Sequence, residues 1–279
     1  MMGRPGFFTP GRLRFIVAAV LILNGFFPLV WMLLTSLKTD SELVRTPITY
    51  LPRHPTLANY VQAFSDQPLG RYLFNSIAVA LLSTLLTLLV AMLAAYALAR
   101  LELRFRDLLL ALIIAVSTFP LVTLLVPLFQ VMRALHLLNT YVALILPYSV
   151  LSLPICTLVL MTFFEGIPPN LENAAMVDGC TRLATLFKIV VPLTAPGIFT
   201  ASILAFVNSW DEFLLAMSFN SSPMMRTVPV GIVLYQGQFS FPWALIAAAI
   251  VVSVVPVAAL IVAFQERVVS GLTAGGVKG

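Results

Sequence analysis

An all-α integral membrane protein with six transmembrane helices is the fold class this sequence predicts, and three observations carry it. Sixty per cent of the 279 residues are apolar. Only 10% are charged, against about 25% in a soluble domain, and the mean hydropathy is +1.02. Six stretches lack Asp, Glu, Lys and Arg altogether: Phe15–Leu37, Tyr72–Ala99, Leu108–Met132, Ala134–Phe164, Ile189–Trp210 and Thr227–Gln265. Each is as long as the roughly 20 apolar residues that cross a bilayer as a helix. A soluble enzyme, a nucleic-acid-binding domain and a disordered chain are excluded. The net charge of +5 belongs to loops between spans, where cations set orientation, and not to a nucleic-acid surface.

Residues 1–12 form an N-terminal segment and residues 13–36 the first span. Arg4, Arg12 and Arg14 precede it as in a signal peptide. The apolar run is too long for a signal core and no small-x-small cleavage site follows, so the helix is retained. The loop from Lys38 to Arg71 holds Pro47, Pro52, Pro55 and Pro68, which oppose long regular structure. Within it, Thr56–Phe64 reads as a short helix capped by Thr56.

Spans 2, 3 and 4 follow at residues 74–99, 108–131 and 141–164. Pro120, Pro127, Pro147 and Pro154 are placed to kink spans 3 and 4. The hydroxyls of Ser83, Thr84, Thr87, Ser117, Thr118 and Thr123 are expected to bond carbonyls of their own helix or a neighbouring helix. Spans 5 and 6 are placed at residues 197–218 and 244–264, with a tail at 265–279. Six spans put both ends of the chain on one side. Ten cations fall on that side, including the tight Arg100, Arg104 and Arg106 group, against six on the other. The positive-inside rule makes the richer side cytoplasmic.

The loop 165–196 carries the densest local information. Asn170 is the expected N-cap of a helix over Leu171–Asp178, with Glu172 favourable in its first turn and Gly179 as the left-handed stop. A second short helix is expected over Thr181–Lys188, with Leu183, Leu186 and Phe187 on one side and Pro192 ending it. Ala174 and Ala175 give a narrow patch beside Leu171 that another protein can approach closely. The loop has only Arg182 and Lys188 as cations against Glu165, Glu172 and Asp178, which suits a protein partner better than anionic lipid.

At these residues the chain resembles a known family. Leu171-Glu-Asn-Ala-Ala-Met-Val-Asp-Gly179, followed by Phe187-Lys-Ile-Val-Val-Pro-Leu193, is similar to the EAA loop of bacterial ABC-importer permeases. The wider chain resembles the carbohydrate, maltose-permease G type. Pro55-Thr-Leu-Ala-Asn-Tyr60, Asn75-Ser76, Leu138-Asn-Thr-Tyr141, Trp210-Asp-Glu-Phe213 and Gly271-Leu-Thr-Ala-Gly-Gly-Val-Lys-Gly279 all contribute. The resemblance implies a multi-pass permease subunit of the bacterial inner membrane. It would pair with a homologous permease and dock a dimer of ABC ATPase subunits, with membrane lipid around it. An extracytoplasmic binding protein would deliver a sugar, either a di- or oligosaccharide or a related glycoside. It implies no enzyme activity and no cofactor in this chain, since ATP and Mg would sit in the ATPase. The coupling residues implied are Leu171, Glu172, Asn173, Ala174, Ala175, Asp178, Gly179 and Phe187, and the ATPase-contacting tail is Gly275, Gly276, Val277 and Lys278. One departure stands out: the family's glutamate before the paired alanines is Asn173 here, which removes the acid from a pairing with a basic ATPase residue.

Other signals carry less. Gly271 to Lys278 does not make a phosphate loop, because Val277 separates Gly276 from Lys278 and no strand precedes it. His54 and His136 stand far apart in the sequence and suggest no metal site. Cys156, in a span, and Cys180, in a loop, read as small apolar residues without a disulfide. Trp210, Asp211 and Glu212 are candidates for the translocation path or its gate. Asp211 falls roughly 21 Å along span 5 at 1.5 Å per residue, where a carboxylate must face protein or water. A secondary transporter of a small polar solute is the alternative class, disfavoured by the lack of an internal repeat.

Overall fold

The computed structural model describes residues 10–237 and 241–276, with side chains over 14–237 and 241–265. The elements run in order as α1 (Pro10–Ser36), α2 (Asp40–Leu43), α3 (Ala58–Ser65), α4 (Leu69–Arg100), α5 (Arg106–Ser117), α6 (Leu121–Ala134) and α7 (Val142–Glu165). There follow α8 (Pro169–Val177), α9 (Arg182–Thr185), a π-helical turn (Leu186–Val190), α10 (Val191–Leu193), α11 (Ala195–Asp211) and α12 (Leu214–Phe219). A 3-10 turn (Pro223–Met225), α13 (Val228–Val233) and α14 (Trp243–Gly276) complete the described chain. It forms two compact units, Met1–Leu69 with Ile232–Val255, and Gly70–Gly231 with Pro256–Gly279.

Four helices, α1, α4, α7 and α14, are long and apolar enough to cross a membrane alone. Six spans result if each of two bent pairs counts as one. The expected third span is broken: α5 and α6 meet at 94°. Ser117 and Thr118 turn their hydroxyls onto the carbonyls of Ile114 and Ala115, at 2.7 and 2.8 Å, and compete with helix continuation. Pro120 then lacks an N–H and disfavours helical backbone at Phe119. Span 4 behaves differently, since α7 runs unbroken through Pro147 and Pro154. Span 5 also differs from expectation. Its helix ends at Asp211, and at its other end α11 meets the segment Arg182–Leu193 at 86°. The last helix continues past the expected end of span 6 as far as Gly276.

The second unit is held by small residues and shared hydroxyls. Ala91 and Ala95 of α4 and Ala201 and Ala205 of α11 are fully buried, which lets helix backbones approach. Ser83 donates to Ser209 (2.9 Å), Ser149 to the Ser83 carbonyl (3.1 Å) and Thr87 to the Ser149 carbonyl (3.3 Å), tying α4, α7 and α11 together. Of the hydroxyls expected to bond helix carbonyls, those of Ser83, Thr87, Ser117 and Thr118 do so, whereas the buried Thr84 hydroxyl finds no partner among the described residues. Gly197 faces the Phe163 ring so closely that a Cβ would run into it, so α11 starts hard against the end of α7. A core of Tyr96, Leu160, Phe164, Leu186 and Val190 fills this end. A second core of Val79, Leu144, Tyr148, Leu215 and Phe219 fills the end near α12.

In the first unit, the loop after α1 is anchored by Asn59, whose amide donates to the carbonyls of Ser36 and Lys38, both at 2.8 Å. The expected helix there begins two residues later than predicted. Thr56 accepts from the Ala58 N–H at 3.1 Å in a local turn, and Leu57 takes the N-cap position.

Candidate functional site

The loop after α7 builds two short helices, as the sequence predicts, with different ends. Pro168 occupies the N-cap of α8 and Pro169 its first turn, so Asn170 is already inside the helix and does not cap it. The stop is as expected: Gly179 has φ +91°, the Gly179 N–H donates to the Met176 carbonyl (3.1 Å) and the Cys180 N–H to the Ala175 carbonyl (2.9 Å). That pair of bonds needs a left-handed residue, which glycine adopts without strain. Thr181 caps α9 through the Ala184 N–H at 3.2 Å. Pro192 does not end the second helix. The wider π-turn precedes it, relieving the clash of its ring with the carbonyl four residues back, and the segment continues to Leu193. Leu183, Leu186 and Phe187 do not share a side: Leu186 is fully buried, while Leu183 and Phe187 are exposed.

The two faces of α8 differ in character. Leu171, Asn173, Ala174, Val177 and Asp178 are exposed, Val177 at 88%. Ala175 and Glu172 are buried. Glu172, placed by sequence among the residues offered to a partner, turns into the protein. Its carboxylate accepts from Arg100 Nε at 2.5 Å and from the Tyr96 hydroxyl at 2.9 Å. Arg100 Nη2 also donates to the carbonyls of Phe164 (2.6 Å) and Ile167 (2.7 Å). Sequence reading missed this grouping. The available signal was Tyr96 and Arg100 at i and i+4, hence on one helix face.

At the far end of α11 the candidates Trp210, Asp211 and Glu212 separate. Trp210 is buried and stacks on Phe206, with ring centroids 5.8 Å apart. Asp211 is the last residue of α11, exposed, and without a hydrogen-bond or ion-pair partner among the described residues. Glu212 turns back over α12, accepting from the N–H groups of Leu215 (2.8 Å) and Ala216 (3.1 Å) and from the Tyr148 hydroxyl (2.5 Å). A cleft of about 190 Å³ lies here, lined by Leu121, Tyr148, Leu151, Asn208 and Glu212. Asn208, one of the lining residues, donates to the buried Ser152 hydroxyl at 3.0 Å. Tyr148 and Asn208 carried no local signal, since they meet Glu212 only through helix packing.

Gly275 and Gly276 are the last residues of α14, while Val277 and Lys278 lie outside the described residues. No group of three or more His, Cys, Asp or Glu residues that could hold a metal ion occurs among the described residues.

Comparisons with known proteins add to this geometry. Residues 87–273 match the family described as the binding-protein-dependent transport system inner membrane component. The chain is 70% identical over 277 residues to the sulfoquinovosyl glycerol transport system permease protein SmoH of Agrobacterium fabrum, covering 99% of this chain and 97% of that one. It is 39% identical over 272 residues to the trehalose/maltose transport system permease protein MalG of Thermococcus litoralis, covering 96% and 97%. In structure it matches a chain of a bacterial ABC transporter involved in import of the acidic polysaccharide alginate. That match has a TM-score of 0.77 and 21% identity, covers 94% of this chain and 99% of that one, and bears on the fold. With the family matched through α7, the α8 loop and α11, and relatives aligned almost end to end, the chain belongs to the inner membrane permeases of binding-protein-dependent ABC transport systems, in their carbohydrate branch.

Proposed function

We propose that this subunit forms, with a homologous permease, the membrane path of an ATP-driven importer for a glycoside. Two copies of an ATPase dock beneath the permease pair, one of them on the exposed face of α8, and an extracytoplasmic binding protein delivers the substrate to the opposite side. Both ends of the chain are then cytoplasmic. ATP and Mg are bound by the ATPase alone. The observation that carries the reading is the split character of α8: Leu171, Ala174 and Val177 stand free at one surface while the other surface is locked to the bundle. An apolar, small-residue face fixed on rigid supports suits a cleft in a partner protein. Asn173 offers that partner hydrogen bonds without charge, so docking relies on shape.

The sulfoquinovosyl glycerol permease relative supports a sulfonated glycoside of that kind as substrate. Two tests separate the parts of this reading. Ala174→Trp fills the free face and should abolish co-purification of the ATPase while the permease pair still assembles. Normal ATPase recovery would remove α8 as the docking element. A strain lacking this subunit should fail to take up sulfoquinovosyl glycerol and keep trehalose and maltose uptake. Loss of the latter two alone would reassign the substrate.

A further inference from the structure

The buried cluster around Arg100 has a use beyond holding the loop closed. One guanidinium reaches three parts of the chain: it lies at the end of α4, donates to the carbonyls of Phe164 in the last turn of α7 and of Ile167 just beyond it, and donates to the carboxylate in the first turn of α8. Tyr96, one turn earlier on α4, takes the second carboxylate oxygen. The side chains of Arg100 and Glu172 are 13% and 5% exposed, so water competes little for these bonds. Between α7 and α8 the chain runs only through Gly166, Ile167 and Pro168, and the carbonyl of Ile167 is itself held by Arg100. Left to its backbone, that connection would act as a swivel. The planar fork of an arginine, with its donors in fixed geometry, removes this freedom.

We infer that Arg100 is a positioning residue that joins α8 to α4 and α7 as one body, so that a displacement of α8 by a docked partner moves both spans. The inference rests on the docking reading above for what displaces α8, but the joint is a property of this chain. An exposed ion pair would not serve, since it exchanges with water. The pair Arg106–Glu165, with both side chains about 40% exposed, is the contrast within the same protein.

The test uses the assembled transporter with Cys156→Ala, one spin label on native Cys180 beside α8 and a second on Leu89→Cys of α4. Distances are measured without nucleotide and after trapping with vanadate and Mg-ATP. A rigid joint gives one narrow distribution that is unchanged on trapping. Arg100→Met should broaden it at least about twofold and make it shift on trapping, because a two-state element then moves without its neighbour. Arg100→Lys, which keeps charge and loses the fork, should fall between. Should Arg100→Met fail to assemble, Tyr96→Phe and Glu172→Gln remove one bond each and are expected to broaden the distribution in the same direction. Narrow, unshifted distributions in the variants that assemble would overturn the joint. A narrow distribution in the parent protein with no ATPase recovered would instead overturn the docking reading and leave the joint standing.

Discussion

Glu212 spends its carboxylate on the start of α12 and on Tyr148, leaving little of it for a substrate. Glu212→Gln replaces one acceptor oxygen with a donor facing N–H or hydroxyl groups. The loss should be about 1–2 kcal/mol, the scale of a helix cap, visible as a lower unfolding temperature of the purified complex. Asp211 is its opposite: unpaired, exposed, and at a helix C-terminus that disfavours negative charge. Asp211→Asn should leave that unfolding temperature unchanged or raise it slightly, by up to about 1 kcal/mol of stability, and slow uptake if its charge faces the path. Unchanged uptake would assign Asp211 to the outer surface. In the first unit, Glu42 accepts from the Thr49 hydroxyl (2.8 Å) and the Arg53 N–H (2.9 Å). The Arg53 N–H is the larger cause, and together they hold its carboxyl below the ordinary value of 4.5. Its contribution to stability is therefore complete above that value and is lost as pH falls through the lower, folded one. Limited proteolysis of the Thr39–Arg53 loop should accelerate on acidification below about pH 4.5, and Glu42→Gln should flatten that dependence.

At the scale of elements, the α8–α9 bend depends on one residue. A Cβ at Gly179 meets nothing within 4 Å, so a substitution there is opposed by backbone conformation and not by crowding. Gly179→Ala should destabilise the bend by about 1 kcal/mol, and Gly179→Asn by less, read as faster protease cleavage between α8 and α9. This bend was legible in the sequence because it rests on neighbours in the chain, and so was the existence of the long helices, which follows from charge-free runs. The breaks were not. Proline occurs inside both α6 and α7 and just before α6, yet of these positions only the one before α6 accompanies a break. α7 is packed on several sides, with half of its apolar stretch buried, while α5 buries none of its residues. Two hydroxyls just before Pro120 complete the break, a local conspiracy that a hydropathy pattern averages away. The inward turn of Glu172 was hidden for a related reason: its partner lies 72 positions earlier, on a helix that reads from sequence as one more apolar span.

For the whole molecule, orientation has a direct test in the two cysteines. Cys156 is fully buried and Cys180 partly exposed. An impermeant thiol reagent should label Cys180 only after the inner membrane is opened, and labelling in intact cells would reverse the assignment. The break between α5 and α6 has a further consequence for the cell. Pro120 caps α6 with no side-chain hydrogen bond. While the Thr123 N–H reaches the Pro120 carbonyl at 3.0 Å, the N–H groups of Leu121 and Val122 have no carbonyl of their own helix to bond, and a bare peptide group in hydrocarbon costs several kcal/mol. The apolar stretch of α1 buries nothing in this chain, so it too relies on its surroundings. Made alone, the subunit would carry a hydrated notch into the bilayer, a defect that membrane quality-control proteases recognise. Its lifetime would then gauge stoichiometry: if the subunit pairs as proposed, pulse-chase decay should be several-fold faster when the proposed partner permease is not co-synthesised, and balanced translation of the two subunits should restore it.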